Sequence, residues 1–342
     1  MSTDALSEVL RAVRLEGAVF YDVRARTPWA TSAPPARELA PHVLPGAEHV
    51  MEYHLVVAGT CWGNLDGETP VRLEPGDVVV FPQGDPHVLA SQPTPSVSDA
   101  PVNRTRRPVG GQLPVMIADG PAPPFGGAAA RGQAPVVDGG SGDEARLVCA
   151  FIGCDARPFN PLLATLPRMI HVRGDGGMLE YLMRAAVTES SERRSGGETV
   201  LARLAELLFV EVVRRHIATL PPEQTGWLAG LRDEFVGRAL ALLHDRPSHD
   251  WSLDELASAV GLSRSALADR FLHLVGSPPI QYLAKWRMQL AASLLAGGTA
   301  SVAEAARAVG YGSEAAFSRA FKKLVGVPPA AWREARRRVA QS

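Results

Sequence analysis

The chain has 342 residues with 35 basic and 36 acidic side chains, a formal net charge of −1 and a hydrophobic content of 46%. This length exceeds one ordinary compact core and the composition excludes wholesale disorder, so we predict two domains with a connecting segment. The charge is unevenly placed, because residues 228–342 carry 15 basic and 10 acidic side chains whereas residues 1–227 carry 20 and 26. This asymmetry favours a C-terminal domain that faces a polyanion.

The N-terminal stretch up to Gly17 carries acidic residues where a secretory signal would be basic, and no long apolar run follows it. No stretch approaches the roughly 20 apolar residues of a membrane span. We therefore expect a cytoplasmic protein with no membrane partner. The odd count of cysteines, Cys61, Cys149 and Cys154, agrees with a reducing compartment. Inert buried thiols are the favoured interpretation, and thiolate ligation or oxidation sensing by Cys149 and Cys154 stays open.

Residues 18–90 alternate short apolar runs with Gly and Pro, a pattern typical of strands in a small barrel or sandwich. The predicted strands here include His49–Val57, Thr60–Leu65 and Asp77–Pro82. Residues 91–143 are rich in Pro, Gly, Ala and Ser, which predicts a disordered insert. The strand pattern resumes at Arg146–Gly153, so the insert interrupts a single domain.

After Pro161 the apolar spacing becomes helical and predicts two helices, Met178–Ser190 and Thr199–Thr219. The second helix carries an apolar stripe formed by Leu201, Leu204, Leu208 and Val212. Such a stripe either packs on its own domain or forms a dimer interface, and both interpretations stay open, with a homodimer as a candidate assembly. The two prolines at 221 and 222 end the helix. We therefore predict domains at 1–220 and 228–342, with residues 221–227 as the linker.

The C-terminal region contains an internal repeat, in which Ser252–Gly261 recurs as Ser301–Gly310 and the following aromatic, glycine and proline positions recur as well. Each copy predicts a short helix, a glycine turn and a second helix capped by Ser263 or Ser313. The residues at i and i+4 that share the buried face of these second helices are Leu267 and Phe271, and Phe317 and Phe321.

Between the two copies, Pro279–Leu295 predicts one long helix that is apolar on one side. Such a rod could hold two recognition helices about one DNA turn apart, roughly 34 Å.

The second copy, Ala306 to Arg333, combines a turn glycine, paired aromatics, a lysine pair, Gly-x-Pro and a terminal aromatic-Arg. It resembles the signature of the AraC/XylS family of bacterial regulators over about residues 232–338. The resemblance implies a sequence-specific transcription regulator that binds double-stranded promoter DNA, with RNA polymerase as a candidate partner. In that arrangement the outward face of each second helix lies in the major groove. The base-contact positions it implies are Arg264, Ser265, Ala268, Asp269, Glu314, Ala315, Ser318 and Arg319.

Arg319 is the strongest candidate among these positions, because a guanidinium can pair bidentately with guanine. A phosphate contact or an internal salt bridge is the alternative role. Ala268 and Asp269 depart from the larger polar or basic residues that this family often carries there, which predicts weaker base reading by the first copy. The candidates for phosphate contacts are Lys322, Lys323, Arg333, Arg336, Arg337 and Arg338.

In the N-terminal half, Gly76–His87 fits the spacing G-x5-P-x-G-x2-H, which resembles the second motif of cupins, small antiparallel β-barrels that hold small ligands. Glu52 and Gly59 resemble part of the first cupin motif, although its His-x-His pair is absent. Glu52 and His54 alternate along one strand and should face the same side. Together with His87 they are our candidate effector-pocket residues. A mixed nitrogen and oxygen set for a divalent metal is an open alternative, and we expect no other cofactor.

These patterns together predict an α+β protein, with an N-terminal cupin-like β-barrel and helical extension and a C-terminal all-α domain with two helix-turn-helix units. The favoured function is a transcription regulator that responds to an unknown small-molecule effector. The alternative is a metal-dependent cupin enzyme fused to a DNA-binding domain. A complete His-x-His-x3–4-Glu set would favour the enzyme, and because the sequence lacks it we predict no catalytic residues.

Overall fold

The structure is a computed structural model that describes residues 4–44, 46–93, 115–117, 143–192, 194–298 and 300–341. The chain divides into two compact units. The first, which we call the sheet unit, comprises Glu16–Gly153 and Pro167–His216. The second, the helical unit, comprises Met1–Leu15, Cys154–Leu166 and Ile217–Ser342. Two short segments of the predicted sensor range therefore belong with the C-terminal helices. No described helix is long and apolar enough to cross a membrane.

The sheet unit contains two β-sheets and the helices that cover them. Its strands are β1 (Glu16–Arg26), β2 (Ala30–Ala33), β3 (His49–Ala58), β4 (Cys61–Leu65), β5 (Val71–Leu73), β6 (Val78–Phe81), β7 (His87–Ala90), β8 (Val115–Ile117), β9 (Glu144–Cys154) and β10 (Ile170–Val172). Its helices are α2 (Ala36–Val43), α3 (Met178–Glu192) and most of α4 (Gly197–Thr219). One sheet has the order β10-β6-β3-β9-β1-β8 and the other has the order β2-β7-β4-β5.

These sheets confirm the α+β class but do not close into the single barrel that the cupin resemblance predicted. The edges of the six-stranded sheet are β10 and β8, and the edges of the four-stranded sheet are β2 and β5, so no ladder joins the two sheets among the residues that the structure describes. Apolar side chains of both sheets nevertheless share one core, which includes Val56, Leu73, Val79, Leu89 and Leu147. The architecture is therefore two sheets that pack through their inner faces.

Part of the predicted insert at 91–143 forms regular structure. Residues 115–117 are strand β8, which pairs in parallel with β1 through the register Tyr21↔Val115. The prediction of a disordered insert is therefore wrong for these three residues. Residues 94–114 and 118–142 lie outside the described residues.

The helical unit consists of α1 and of the helices that follow α4. Its helices are α1 (Ala5–Ala12), α5 (Trp227–Arg232), α6 (Glu234–Asp245), α7 (Leu253–Val260), α8 (Arg264–Val275), α9 (Pro279–Ala296), α10 (Val302–Ala308), α11 (Glu314–Val325) and α12 (Pro329–Gln341). The pair α7–α8 forms the first helix-turn-helix unit, and the pair α10–α11 forms the second. Helix α9 joins them and confirms the predicted connecting helix.

The turns and caps that the repeat predicted are present in both copies. Ser263 accepts a hydrogen bond from the Ala266 amide, and Ser313 accepts one from the Ala316 amide, so both serines are N-caps. In the first copy Gly261 adopts the left-handed conformation at φ 80° and ends α7. This conformation costs glycine little because it has no Cβ. The chain therefore reverses between the two helices of the unit without strain.

Helix α9 contributes apolar residues to the cores of both helix-turn-helix units. Its N-terminal half buries Tyr282, which packs edge-on against Phe271 of α8 with the ring centroids 5.8 Å apart. Its C-terminal half buries Met288 and Leu295 in a cluster with Phe317, Phe321 and Trp332. One helix thus carries both recognition helices, α8 and α11.

Candidate nucleic-acid interface and effector pocket

The recognition helices α8 and α11 expose the faces that the sequence assigned to DNA. Leu267, Phe271, Phe317 and Phe321 are all fully buried, so the positions between them point away from the core. The base-contact candidates that are exposed are Arg264, Ser265, Asp269, Glu314, Ala315 and Arg319, and those that are half-buried are Ala268 and Ser318. These side chains lie in the first two turns of each helix, which is the part of a helix-turn-helix that meets base edges.

The two exposed arginines of these faces differ in their surroundings. Arg264 forms an ion pair with Asp254 of α7, with 3.1 Å between Nη1 and Oδ2. Both side chains are about two-thirds exposed, so this pair contributes little to stability. Among the described residues, no acidic side chain forms an ion pair with Arg319. Arg319 is therefore the better presented of the two for a ligand.

Most of the predicted phosphate contacts lie on the surface, but one does not. The exposed candidates are Lys322, Lys323, Arg337 and Arg338, while Arg333 is half-buried. The side chain of Arg336 is only 11% exposed, and its guanidinium lies 3.5 Å from Asp155 and over the ring of Trp332. The prediction of a phosphate contact by Arg336 is wrong, because this charge is already paired inside the helical unit.

In the sheet unit, Glu52 and His54 on β3 and His87 at the start of β7 converge as the sequence predicted. The three side chains are at most 5% exposed, and their ligand atoms lie within 4.8 Å of one another. They line a pocket that opens to solvent. The rest of the lining consists of Val23, Thr31, Ser32, Ala33, Pro34, Leu39, Leu89, Leu147, Cys149 and Phe151.

The hydrogen bonds of the two histidines assign their tautomers. The Asp85 carbonyl can only accept, so His87 Nδ1, 3.0 Å away, carries a hydrogen. Burial lowers the pKa of His87 to about 4, so its neutral ring must accept at Nε2 from His54 Nε2, at 2.7 Å. His54, whose pKa is also lowered by burial, is left with Nδ1 as a buried acceptor that has no partner.

Glu52 completes this polar end of the pocket as a neutral acid. Burial raises its pKa to about 8, so the carboxyl is mostly protonated at neutral pH. One of its oxygens, Oε1, is buried without a hydrogen-bond partner, and the other lies 3.7 Å from His87 Nε2. The pocket therefore offers an apolar wall and an uncharged polar end whose hydrogen bonds are incomplete.

The described cysteines agree with the favoured interpretation of inert thiols. All three are buried and none forms a disulfide. Burial and then the nearby carboxylate of Asp77 raise the pKa of Cys61 to about 12, so this thiol is not a nucleophile at neutral pH. Cys149 lines the pocket, and its distance from the other groups keeps it out of the cluster of Glu52, His54 and His87.

The apolar stripe of α4 packs on its own unit. Leu201, Leu208 and Val212 are at most 3% exposed, and Leu204 is half-buried. A Cβ added at Gly17 of β1 would lie 2.1 Å from the Ala202 carbonyl oxygen, so α4 crosses this strand at close range. Of the two open interpretations of this stripe, its burial supports packing on its own domain.

Comparison with known protein families distinguishes an N-terminal and a C-terminal part of the chain. A family model described as "Cupin" matches residues 4–218, and one described as "Helix-turn-helix domain" matches residues 256–335. An AraC-like transcription regulator of Streptomyces lividans is 34% identical over 292 residues, which is 84% of this chain and 88% of that protein. The chain belongs to the AraC family of transcription regulators.

The chain is also similar to two other transcription regulators. The regulator AlkR of Acinetobacter baylyi is 27% identical over 97% of this chain and 99% of its own length. The DNA-binding domain of AdpA, solved in complex with a target DNA, is 32% identical and covers 32% of this chain and 99% of that domain, with a TM-score of 0.30. The two family models and the similarity to the Streptomyces lividans regulator identify this AraC-family chain as a DNA-binding transcription regulator with an N-terminal cupin domain.

Sequence reasoning missed one part of the AraC-family chain that the structure brings to its DNA-binding helices. Helix α1 begins with Asp4 as N-cap and buries Leu6 and Val9, and the segment 155–166 packs in the same unit. The apolar spacing of residues 5–13 could have indicated an amphipathic helix. Nothing in the sequence could have indicated which helices it packs against.

Proposed function

We propose that this regulator binds its operator in response to a small effector that occupies the pocket around Glu52, His54 and His87. The single observation that carries the proposal is an uncharged, buried polar cluster with unmet hydrogen bonds at one end of an otherwise mainly apolar pocket. A concave apolar site with a few convergent polar groups is the usual form of a small-molecule site. An occupant that supplies the missing hydrogen bonds would be bound in one orientation.

The chemistry of the lining defines the class of effector. Valine, leucine, proline and phenylalanine side chains on the wall favour an apolar body. A neutral carboxyl and two neutral imidazoles disfavour a strongly charged head group, since such a charge would be desolvated without a counter-charge. The effector we propose is therefore a small, mostly apolar molecule with one uncharged group that donates and accepts hydrogen bonds.

Calorimetric titration of the full chain with a panel of short-chain alcohols, phenols, amides and the matching carboxylates tests this class. Glu52→Leu removes both hydrogen-bonding oxygens of this side chain, and we expect it to weaken binding by about 1–2 kcal/mol. Glu68→Leu, the same change at an exposed position of the same unit, is the control and should have no effect. Preference for the carboxylates over the neutral compounds would contradict the proposed class.

A divalent metal is the second candidate for this site, and the donor set fits it. Two imidazoles and one carboxylate are the ligands of many zinc sites, and the Asp85 carbonyl already fixes His87 with Nε2 inward. Glu52, His54 and His87 would hold the ion, which would supply a Lewis-acidic position for an effector. Metal analysis of the purified protein before and after dialysis against zinc decides between a metal and a purely organic occupant.

The metal-dependent enzyme fused to a DNA reader is the competing hypothesis for the same residues. The enzyme hypothesis requires both a stoichiometric metal and turnover of a bound compound. Binding of a compound without turnover would support the regulator hypothesis instead. Contact with RNA polymerase, homodimer formation and a cytoplasmic location stay predictions.

A further inference from the structure

Two segments of the helical unit form one structure, which we call the clip and define as residues 4–15 and 155–166. The Asp155 amide donates to the Val13 carbonyl at 2.8 Å, and Arg14 donates from Nε and Nη2 to the Asp155 carboxylate at 2.7 and 2.8 Å. Asn160 donates from Nδ2 to the Asp155 carbonyl at 2.8 Å. Asp155, with its side chain 7% exposed, is thus the centre that ties the two segments together.

The clip is fastened to α9 by a buried glutamine. Gln289 is fully buried, donates from Nε2 to the Ala12 carbonyl at 3.1 Å and accepts at Oε1 from the Phe159 amide at 3.0 Å. One side chain of the helix that joins the two helix-turn-helix units therefore binds the backbone of both clip segments. Removing it would leave the partly buried Phe159 amide and the buried Ala12 carbonyl without this partner, which is costly.

The clip also contacts the cores of both helix-turn-helix units. On the side of the first unit, the Phe159 ring packs edge-on against Tyr282, with centroids 5.4 Å apart. On the side of the second unit, Asp155 lies 3.5 Å from Arg336, whose guanidinium covers the Trp332 ring. Trp332 belongs to the core around Phe317 and Phe321 of the second unit.

We propose that the clip fixes the placement of the two helix-turn-helix units relative to each other, and that Gln289 and Asp155 are positioning residues for DNA binding by both units. Neither side chain lies on an exposed recognition face, so each acts through geometry. Two linked helix-turn-helix units bind DNA more tightly than one only when both can contact the duplex at the same time. Loosening their relative placement removes that gain in affinity. A loosened clip should therefore weaken binding to a complete operator more than binding to half of it.

The test uses the full chain and two duplexes derived from an operator mapped by footprinting. One duplex carries the complete operator. In the other, the bases contacted by one of the two helix-turn-helix units are scrambled. We expect Gln289→Leu to bind the complete operator about tenfold more weakly or worse, with little change on the scrambled duplex. Gln281→Leu, an exposed change of the same kind on α9, is the control and should change neither affinity.

Asp155→Asn provides a second variant with a milder change, and exposed Glu223→Gln is its charge-matched control. Asp155→Asn should reproduce the selective loss even if Gln289→Leu proves too unstable to purify. Equal weakening on both duplexes by Asp155→Asn would mean a merely structural role and would overturn the proposal. Unchanged affinity on both duplexes would overturn it as well. Because no effector is added to either titration, the result does not depend on the proposed pocket.

Discussion

Arg319 is the residue whose surroundings argue most directly for contact with DNA. It is exposed on α11, and no described acidic side chain pairs with it. We expect Arg319→Ala to weaken operator binding by about 1–3 kcal/mol at fixed salt, because a bidentate pair with a base would be lost. Fluorescence anisotropy with a labelled operator measures this loss. Arg184→Ala, which removes one exposed charge from the sheet unit, is the control, and an equal loss there would assign the effect to net charge.

His244 gives the helical unit a dependence on pH. Its Nε2 lies 2.8 Å from the Tyr282 hydroxyl, Nδ1 is buried without a partner, and burial lowers its pKa to about 3. The unfolded chain, with a histidine pKa near 6.5, therefore binds more protons between about pH 3 and 6.5, so the stabilising contribution is lost as pH falls through that window.

We expect His244→Gln to flatten the fall in the free energy of unfolding between about pH 6 and 4, where one proton contributes at most about 1.4 kcal/mol per pH unit. Urea unfolding followed by tryptophan fluorescence measures the slope. Gln281→Leu, an exposed change in the same unit at a side chain that does not titrate, is the control and should leave the slope unchanged. An identical slope for His244→Gln and the natural chain would show that burial of His244 does not cause it.

For single residues, the sequence predicted the placement of side chains that follow a local period along a strand or helix. It did not predict the placement of side chains whose partners lie far away in the chain. Glu52 and His54 could be paired because successive side chains of a strand alternate between its faces. Arg336 could not be placed, because its partner Asp155 lies in a far part of the chain and no local pattern joins them. Gln289 likewise gives no signal, since a buried glutamine among apolar neighbours is defined only by what it bonds.

The two helix-turn-helix turns share their chemistry and differ in their surroundings. Gly261 and Gly310 have φ values of 80° and 83°, so an alanine is strained at either position. A Cβ at Gly261 would meet nothing within 4 Å, whereas one at Gly310 would lie 2.4 Å from the Ser248 carbonyl oxygen. The second turn therefore packs directly on the loop before α7.

We expect Gly261→Ala to lower the free energy of unfolding by about 1 kcal/mol and Gly310→Ala by about 3 kcal/mol or more. The additional loss arises because the backbone at Ser248 must move. Urea denaturation of the two variants gives the comparison directly. Equal losses would mean that the close approach between the second turn and Ser248 has no energetic consequence.

Elements with strong local signals were predicted well, and the ways they pack were not. The repeat, its serine caps and its turn glycines gave α7, α8, α10 and α11, because capping and left-handed turns depend on neighbouring residues. The stripe on α4 gave the helix but not its partner, since the same apolar spacing serves an internal core and a dimer interface. The sheets were predicted as one barrel, because strand alternation does not specify which edges pair.

For the whole molecule, the chain itself links the pocket strands to the clip. Strand β1 follows clip residue Leu15, β9 precedes Asp155, and the two strands pair through Glu16↔Gly153. Both strands also line the pocket. A change in the pocket should therefore reach the DNA-binding helices through the clip.

We expect the change in operator affinity caused by Leu147→Ala, a buried pocket substitution on β9, to shrink when Gln289→Leu is also present. A double-mutant cycle should give a coupling free energy of about 0.5–3 kcal/mol, whereas the same cycle with Gln281→Leu should give none. Operator titrations of the four proteins in each cycle measure the coupling. If the effects on operator affinity are additive in both cycles, the pocket and the clip are not energetically coupled.

We expect both helix-turn-helix units to contact one duplex at successive major grooves. Hydroxyl-radical footprinting of the full chain on its operator tests this most directly. We expect two protected patches on one face of the duplex, about 10 base pairs apart, with Arg319→Ala weakening only one of them. A single protected patch, or equal weakening of both patches by Arg319→Ala, would contradict the claim.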